Sequence, residues 1–479
     1  MDKFDTVIKN GKVVTPQGIV LGGVIIHDGK FIGVETDYHL PEAQEVIDAG
    51  GSWVLPGCVD CESHIISRST EVDGFWDITD DKKDDLLRET EAAAYGGITT
   101  VSTWLLLRKK PYKPLVESLI EWGNRKAYVD FGFYPVTTCQ EHLEEMPELF
   151  KMGVTHHKAY MIGAPGSEGG EVIGGGVHNG GLYQMLGVMA KFGYPALCQL
   201  HAEDAFVVEY LREKYQKMGR NDLRANTETR PACQLAYQVI TAGLMAKELG
   251  ATIIPVHLTS KEEVNAVKWL KDQHVKVWGQ TNTSRITRTC FDEEYTARAV
   301  DPRLAVNWTA FRYPEDHERM WQGLKDGIFD CVGTDHGCNT AAEKLRNGEA
   351  TFWNTRLPGN EFDSHLPVFW TEAVGKDRIS VERLAEVCAT NPAKAQGWYP
   401  KKGAIIKGGD ADVVLLDNKR RQVITDKDVR GRSDYTIYKN LEVIGAPLKM
   451  VMSRGKKVII DGRTVGQPGH GKYVPFCGW

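Results

Sequence analysis

At 479 residues the chain is too long for one small core, and 42% hydrophobic with 25% charged residues is the make-up of an ordinary soluble globular protein. A formal net charge of −6 argues against general binding to nucleic acid or to an acidic membrane surface. No apolar run reaches the length of a membrane span, and the opening "MDKFDTVIKNGKVV" lacks the apolar core of a signal peptide. The ten scattered cysteines therefore read as buried thiols of a cytoplasmic protein.

In chain order, residues 5–50 read as short strands and turns, "TVIKNGKVVT" and "GGVIIHDGKFIGV", with Asn10-Gly11 and Asp28-Gly29 as hairpin signals. The middle changes texture. Eight short apolar runs follow, "WVLPGCVDCESH", "GITTVSTWLL", "YVDFGFYPV", "VTHHKAYMI", "PALCQLHAE", "TIIPVHLTS", "VKVWGQTNT" and "IFDCVGTDH". Between them lie helical patterns such as "DDLLRETEAAAYG", "PACQLAYQVITAGLMAKELG" and "KEEVNAVKWLKDQ". Strand–helix alternation implies parallel βα units, and eight of them imply a (β/α)8 barrel. The far end returns to short strands, "DADVVLLD" and "PLKMVMSRGKKVIIDGRTV", with Arg454-Gly455 and Asp461-Gly462 as punctuation. The expected organisation is an α/β barrel over 55–400, with 1–54 and 401–479 joining in a smaller β-sandwich domain.

Polar residues fall at the ends of these runs. Glu62 and His64 stand at i and i+2, on one side of an extended strand; a histidine pair there would be an ordinary metal clamp, but the first is a glutamate. Lys158, His201, His257 and Asp335 close four further runs. A single strand-end histidine is usually a hydrogen-bonded structural group, and a single lysine a solvated one. Six such groups on five strands, all at the rim where barrels build their active sites, point to a shared site. Imidazole and carboxylate donors suit zinc, manganese or iron(II).

With these residues in place the sequence resembles the cyclic amidohydrolases, the hydantoinase/dihydropyrimidinase branch of the amidohydrolase superfamily. The likeness runs nearly end to end, through "IKNGKVVTPQG", "VIDAGGSWVLPGCVD", "AAAYGGITTV", "MGVTHHKAYM", "LHAEDAFVVEYLREKY", "VHLTSKEEV", "VGTDH" and "SDYTIYKNLEVIGAPLKMVMSRGKKVIIDGRTVGQPGHGKYV". It implies a metal set of Glu62 and His64 (the family's paired histidines), Lys158 (its CO2-carboxylated bridging lysine), His201, His257 and Asp335. It further implies a small-molecule substrate, a homo-oligomer (tetramer or dimer), and hydrolysis in which metal-held hydroxide attacks a ring carbonyl. Asp335 then passes the proton to the leaving nitrogen. An unmodified Lys158 amine in a salt bridge to Glu62 would count against the two-metal form.

The chain departs from that pattern around the substrate. Gly163 falls at or near the family's substrate-contacting tyrosine and opens a glycine-rich segment, "GAPGSEGGEVIGGGVHNGGL", expected to act as a specificity loop. Leu357, in "TRLPGNE", takes the place of a substrate-contacting asparagine, with Asn360 close by. Asn282 keeps a substrate-contact position. Arg285 and Arg288, in "TSRITRT", either grip a substrate carboxylate or pair with acidic neighbours. His156 shares a side with Lys158 and is a candidate support for it, while Cys58 and Cys61 read as core thiols.

The expected activity is metal-dependent opening of a cyclic amide, imide or ureide, with zinc the first metal to consider. The alternatives are a related hydrolase with a non-hydantoin amide substrate and an atypical or single-metal site, and a non-catalytic scaffold related to dihydropyrimidinase. Glu62 is expected to remain a metal ligand, adding a negative charge that weakens the metal as a Lewis acid and favours oxygen-loving ions such as manganese.

Overall fold

The computed structural model describes residues 3–66, 80–107, 110–161, 177–356 and 359–475. One nine-stranded sheet takes strands from both ends of the chain. Its order is Arg463–Thr464, Lys456–Ile460, Met450–Ser453, Val413–Leu416, Trp53–Pro56, Phe4–Thr15, Gly18–His27 and Lys30–Glu35, with Ala43–Asp48 also paired to Phe4–Thr15. Asp28-Gly29, Arg454-Gly455 and Asp461-Gly462 are hairpin turns with both residues at positive φ, the geometry that suits the right-handed strand twist. Asn10-Gly11 is not a hairpin. It is a register shift inside the first strand, where the parallel neighbour changes from Ala43–Asp48 to Trp53–Pro56. A bulge lets one long strand bend between two partners.

Eight inner strands carry the middle of the chain: β1 Cys58–His64, β2 Ile98–Leu105, β3 Asp130–Pro135, β4 His156–Tyr160, β5 Leu197–His201, β6 Ile253–Pro255, β7 Gln280–Asn282 and β8 Cys331–Gly333. Every pairing among them is parallel, β1–β2–β3, β4–β5–β6 and β7–β8. Single parallel bridges, Val136 to Lys158 and Ile253 to Val277, link these arcs, and His336–Gly337 pairs back onto β1. The run "WVLPGCVDCESH" is two strands, not one: Trp53–Pro56 belongs to the outer sheet and β1 to the inner set. Gly57 makes the handover, because a Cβ there would run into the Thr99 side chain.

Helices cover the inner strands for reasons visible locally. Lys261–Asp272 starts at a capping box between Ser260 and Glu263 and buries Val264, Val267 and Leu270. Ala232–Leu249 stops at Gly250, whose φ of 76° is left-handed. No helix among the described residues is long and apolar enough to cross a membrane.

The described cysteines are all free thiols. Cys58 and Cys61 have the C-x-x-C spacing, yet strand alternation sends them to opposite faces, Cys58 against Cys388 and Cys61 against Cys331. At the N-terminal end of the inner strands, Lys402 is buried among Asp130, Asp410 and Asp412, at 2.5, 2.9 and 2.9 Å, pinning β3 to the outer sheet.

Candidate metal centre

The opposite, C-terminal end of the inner strands brings six side chains together. Glu62 and His64 lie on β1, Lys158 on β4, and His201 ends β5. His257 and Asp335 follow β6 and β8 by two residues, and both have left-handed backbones, φ 45° and 56°. Such conformations are uncommon outside glycine and tend to mark functional sites. The Asp335 turn is held by its N–H donating to the Glu62 carbonyl at 3.1 Å. Asp60 ties β1 to β8 by accepting from Thr334 N and Oγ1 at 3.0 and 2.8 Å.

The contacts form one chain. His64 Nε2 meets Asp335 Oδ1 at 2.9 Å, and Glu62, His64 and Asp335 each offer a ligand atom within 4.8 Å of the others. Lys158 Nζ pairs with Glu62 Oε1, which joins β4 to the ligand group on β1. His257 Nε2 lies 3.7 Å from Glu62 Oε1 and 2.9 Å from His201 Nδ1. All six residues are buried.

Burial pushes Glu62 up to about 7, with Lys158 and Arg285 pulling the other way. Burial also lowers His64 and His257, favouring the neutral imidazoles that ligate metals. Asp335 differs: burial alone would raise it, but the His64 hydrogen bond and the charges of Arg285 and Lys158 hold it below the usual carboxylate range. Glu62 Oε2 is buried with no hydrogen-bond partner among the described residues. An unsatisfied buried carboxylate oxygen beside neutral imidazoles fits a divalent cation.

The expected substrate contacts fare differently. Gly163 and Leu357 lie outside the described residues, as does the segment 162–176. Asn282 is buried at the end of β7, where Gln280 Nε2 donates to its Oδ1 at 2.6 Å. Asn360 donates to Asp363 at 3.0 Å and lines a separate cavity of about 240 Å³ with Ile424, Arg430 and Leu448; none of the six centre residues borders that cavity. Arg285, expected at a substrate carboxylate, is 0% exposed and donates to Asp335 Oδ2 at 3.1 Å. Arg288 pairs with Glu294 at 3.0 Å and Glu372 at 3.7 Å. Both arginines thus spend their charge on acidic neighbours. His156 and His157 are core residues that burial lowers to about 3.

Other residues at the centre carry no sequence signal of comparable strength. Glu203, two positions after His201, accepts from His201 Nε2 at 3.1 Å through Oε2, and its Oε1 accepts from Arg230 at 2.9 Å. Carboxylates in this place orient metal-binding imidazoles. The i+2 spacing in "LHAED" could have revealed it. Trp104 meets the His64 ring edge-on at 4.6 Å, the Tyr160 ring lies 5.3 Å from Lys158 Nζ, and Trp308 stands edge-on to Tyr160 and His201 at 6.0 and 5.6 Å. Trp308 is 37% exposed, the solvent-facing member of this aromatic wall.

The family model for the amidohydrolase family matches residues 53–465, which holds every residue of this centre. The chain belongs to the amidohydrolase family. Among amidohydrolases it is 30% identical to a D-hydantoinase of Ralstonia pickettii, over 98% of each chain, and 28% identical to an L-hydantoinase of Paenarthrobacter aurescens, again over 98% of each. Its fold matches a crystal structure of dihydropyrimidinase from Brevibacillus agri NCHU1002 with a TM-score of 0.87 at 26% identity, covering 98% of both chains.

Proposed function

We propose that the protein hydrolyses a carbon–nitrogen bond in a cyclic amide, imide or ureide, using a divalent metal held at the C-terminal ends of the inner strands. The observation that carries this reading is the buried group of Glu62, His64 and Asp335, with ligand atoms within 4.8 Å of one another, and of His257 and His201 beside Glu62. Family membership supplies the reaction class, and the hydantoinases and dihydropyrimidinase among its relatives supply the ring chemistry. The inner strands are read as a closed (β/α)8 barrel over 55–400, supported by the bridges between arcs and by the return pairing onto β1, with residues 1–54 and 401–479 as its β-sandwich companion.

Glu62, His64 and Asp335 are the residues best placed to hold the ion. When bound, a divalent cation there supplies Lewis acidity that activates water and polarises the ring carbonyl. Asp335 accepts a proton from the attacking water as the oxygen–carbon bond forms, then gives it to the ring nitrogen as the carbon–nitrogen bond breaks. His64 holds Asp335 Oδ1 in place for both transfers. Trp104, Tyr160 and Trp308 exclude water and offer flat faces to the ring. Zinc leads the candidate metals, and Glu62 favours manganese more than an imidazole would. A dimer or tetramer in a reducing cytoplasm goes with this reading.

A second reading rests on the facing nitrogens of His201 and His257, 2.9 Å apart. Carboxylation of Lys158 by CO2 would turn the cation beside Glu62 into an anionic ligand and admit a second ion with these histidines. Metal content of the purified protein separates the cases: one equivalent for the first, two for the second, and almost none for a non-catalytic scaffold. The activity test uses hydantoin, both enantiomers of a 5-substituted hydantoin, and dihydrouracil, before and after chelation and metal return. Ring opening that disappears with chelation and returns with metal is expected; metal-replete protein inert toward every cyclic amide, imide and ureide tested would overturn the proposal.

A further inference from the structure

We infer that Arg285 is a positioning residue for Asp335, set behind it and away from the substrate; the inference rests on the hydrolase reading above. Arg285 lies in the short helix Thr283–Thr287 that follows β7, so the chain delivers its side chain beneath the rim. The guanidinium is fully buried, and each of its three nitrogens donates to a neighbouring side chain. Nη2 donates to Asp335 Oδ2 at 3.1 Å, Nη1 to Ser284 Oγ at 2.7 Å, and Nε to Thr309 Oγ1 at 3.1 Å. Nη1 also lies 3.9 Å from Glu361 Oε1, and the Phe311 ring packs 5.0 Å from the guanidinium carbon. Glu361 is anchored in turn by the Tyr438 hydroxyl, which donates to Oε2 at 2.7 Å.

This geometry commits each guanidinium nitrogen to a protein side chain and keeps the group away from solvent. It does fix the Asp335 carboxylate: His64 takes Oδ1 and Arg285 takes Oδ2, so rotation about the carboxylate would break one contact or the other. The planar fork spans Asp335 and Glu361 together, which a lysine ammonium, a single point charge, would not reproduce. Arg285 also places a positive charge among Glu62, Asp335 and Glu361, so that three carboxylates share one buried end of the barrel.

The test compares wild type, Arg285→Lys, Arg285→Met and the double variant Arg285→Met/Glu361→Gln as full-length protein. Four quantities are read: affinity for Zn²⁺ in a chelator-buffered titration, kcat, KM and thermal midpoint. Arg285→Lys keeps the charge and is expected to lower Zn²⁺ affinity and kcat by about 10–100-fold, the usual effect of losing an outer partner of a metal ligand, with KM nearly unchanged. Arg285→Met removes the cation shared by Asp335 and Glu361 and is expected to lower the thermal midpoint. The double variant removes the Glu361 charge as well, so it should regain part of the thermal midpoint while kcat and Zn²⁺ affinity stay low. Recovery of all four quantities in the double variant would reduce Arg285 to a structural partner of Glu361. A rise in KM confined to acidic substrates, with Zn²⁺ affinity unchanged, would make it a substrate ligand. Either result overturns the inference. Failure of wild type to bind Zn²⁺ or to hydrolyse any cyclic amide, imide or ureide would instead overturn the hydrolase reading on which it rests.

Discussion

Two clusters of buried charge sit at opposite ends of the inner strands, and they are built to different rules. At the N-terminal end, Lys402, Lys30 and Arg454 face Asp130, Asp410 and Asp412, three cations against three carboxylates. Burial alone would lower Lys402, but the three aspartates hold it above its usual value. At the C-terminal end, Glu62, Asp335 and Glu361 share Lys158 and Arg285 at close range and Lys344 further off, burial lowering Lys344 to about 7 and favouring neutral His64 and His257. Burial pushes Glu62 and Glu361 up there, and Glu62 Oε2 is unsatisfied among the described residues. The balanced cluster is a fastener between inner strands and outer sheet. The C-terminal one has the open donor atom of a cation site.

Breaking each cluster should therefore damage a different property. Asp335→Asn is expected to lower kcat by about 10²–10⁴-fold, as loss of a general acid/base does, while the amide oxygen keeps metal bound. Steady-state kinetics with metal analysis check this, and near-normal turnover would remove Asp335 from the proton path. Lys402→Met leaves three buried aspartates without their shared cation and is expected to cost about 3–5 kcal/mol in urea unfolding. Turnover per folded molecule should hardly move; a selective loss of kcat would mean that the two ends are coupled.

Substitutions at Glu62 sharpen the contrast. Glu62→His is expected to retain metal and shift the basic limb of the pH–rate profile to lower pH, whereas Glu62→Gln, lacking the charge, should lose metal. Wild-type metal content and pH dependence in both variants would place Glu62 outside the metal's ligand set. The smallest effect is expected at the partly exposed Glu343–Arg432 pair. Burial tends to raise Glu343, but hydrogen bonds and charge from Arg432 and Thr340 bring it down to about 2 from an ordinary 4.5. The folded state then binds fewer protons than the unfolded one in that window, so the contribution is present above pH 4.5 and lost as pH falls toward 2. Wild type should exceed Glu343→Gln by no more than about 1 kcal/mol near neutrality, with the difference vanishing in acid.

Much of this was legible in the residues. Parallel inner strands follow from β-branched runs alternating with helical ones, and the strand-end positions of Glu62, His64, Lys158, His201, His257 and Asp335 follow from the same register. Local pattern was weaker wherever an outcome depended on a partner distant in the chain. Asn10-Gly11 has the composition of a hairpin, but the strand continues because two parallel neighbours, Ala43–Asp48 and Trp53–Pro56, hold it on either side of the bulge. Asn360 was close enough in sequence to suggest a substrate contact, yet its side chain turns to Asp363, while the next residue, Glu361, reaches Arg285.

The sequence by itself determined the α/β class, the family resemblance and the residue types gathered at one rim, because periodicity and strand-end position are local properties of the chain. Tertiary structure decided which charges meet. Arg285 reads from sequence as a substrate clamp or, more often for such arginines, as a partner of acidic neighbours, and only the fold brings Asp335, fifty residues away, and Glu361 to it. Lys158 meeting Glu62, separated by 96 positions, is likewise invisible to any local pattern. The physical reason is common to both: a buried charge takes the partner that the packed interior places within a few ångströms, and that distance is set by the whole fold.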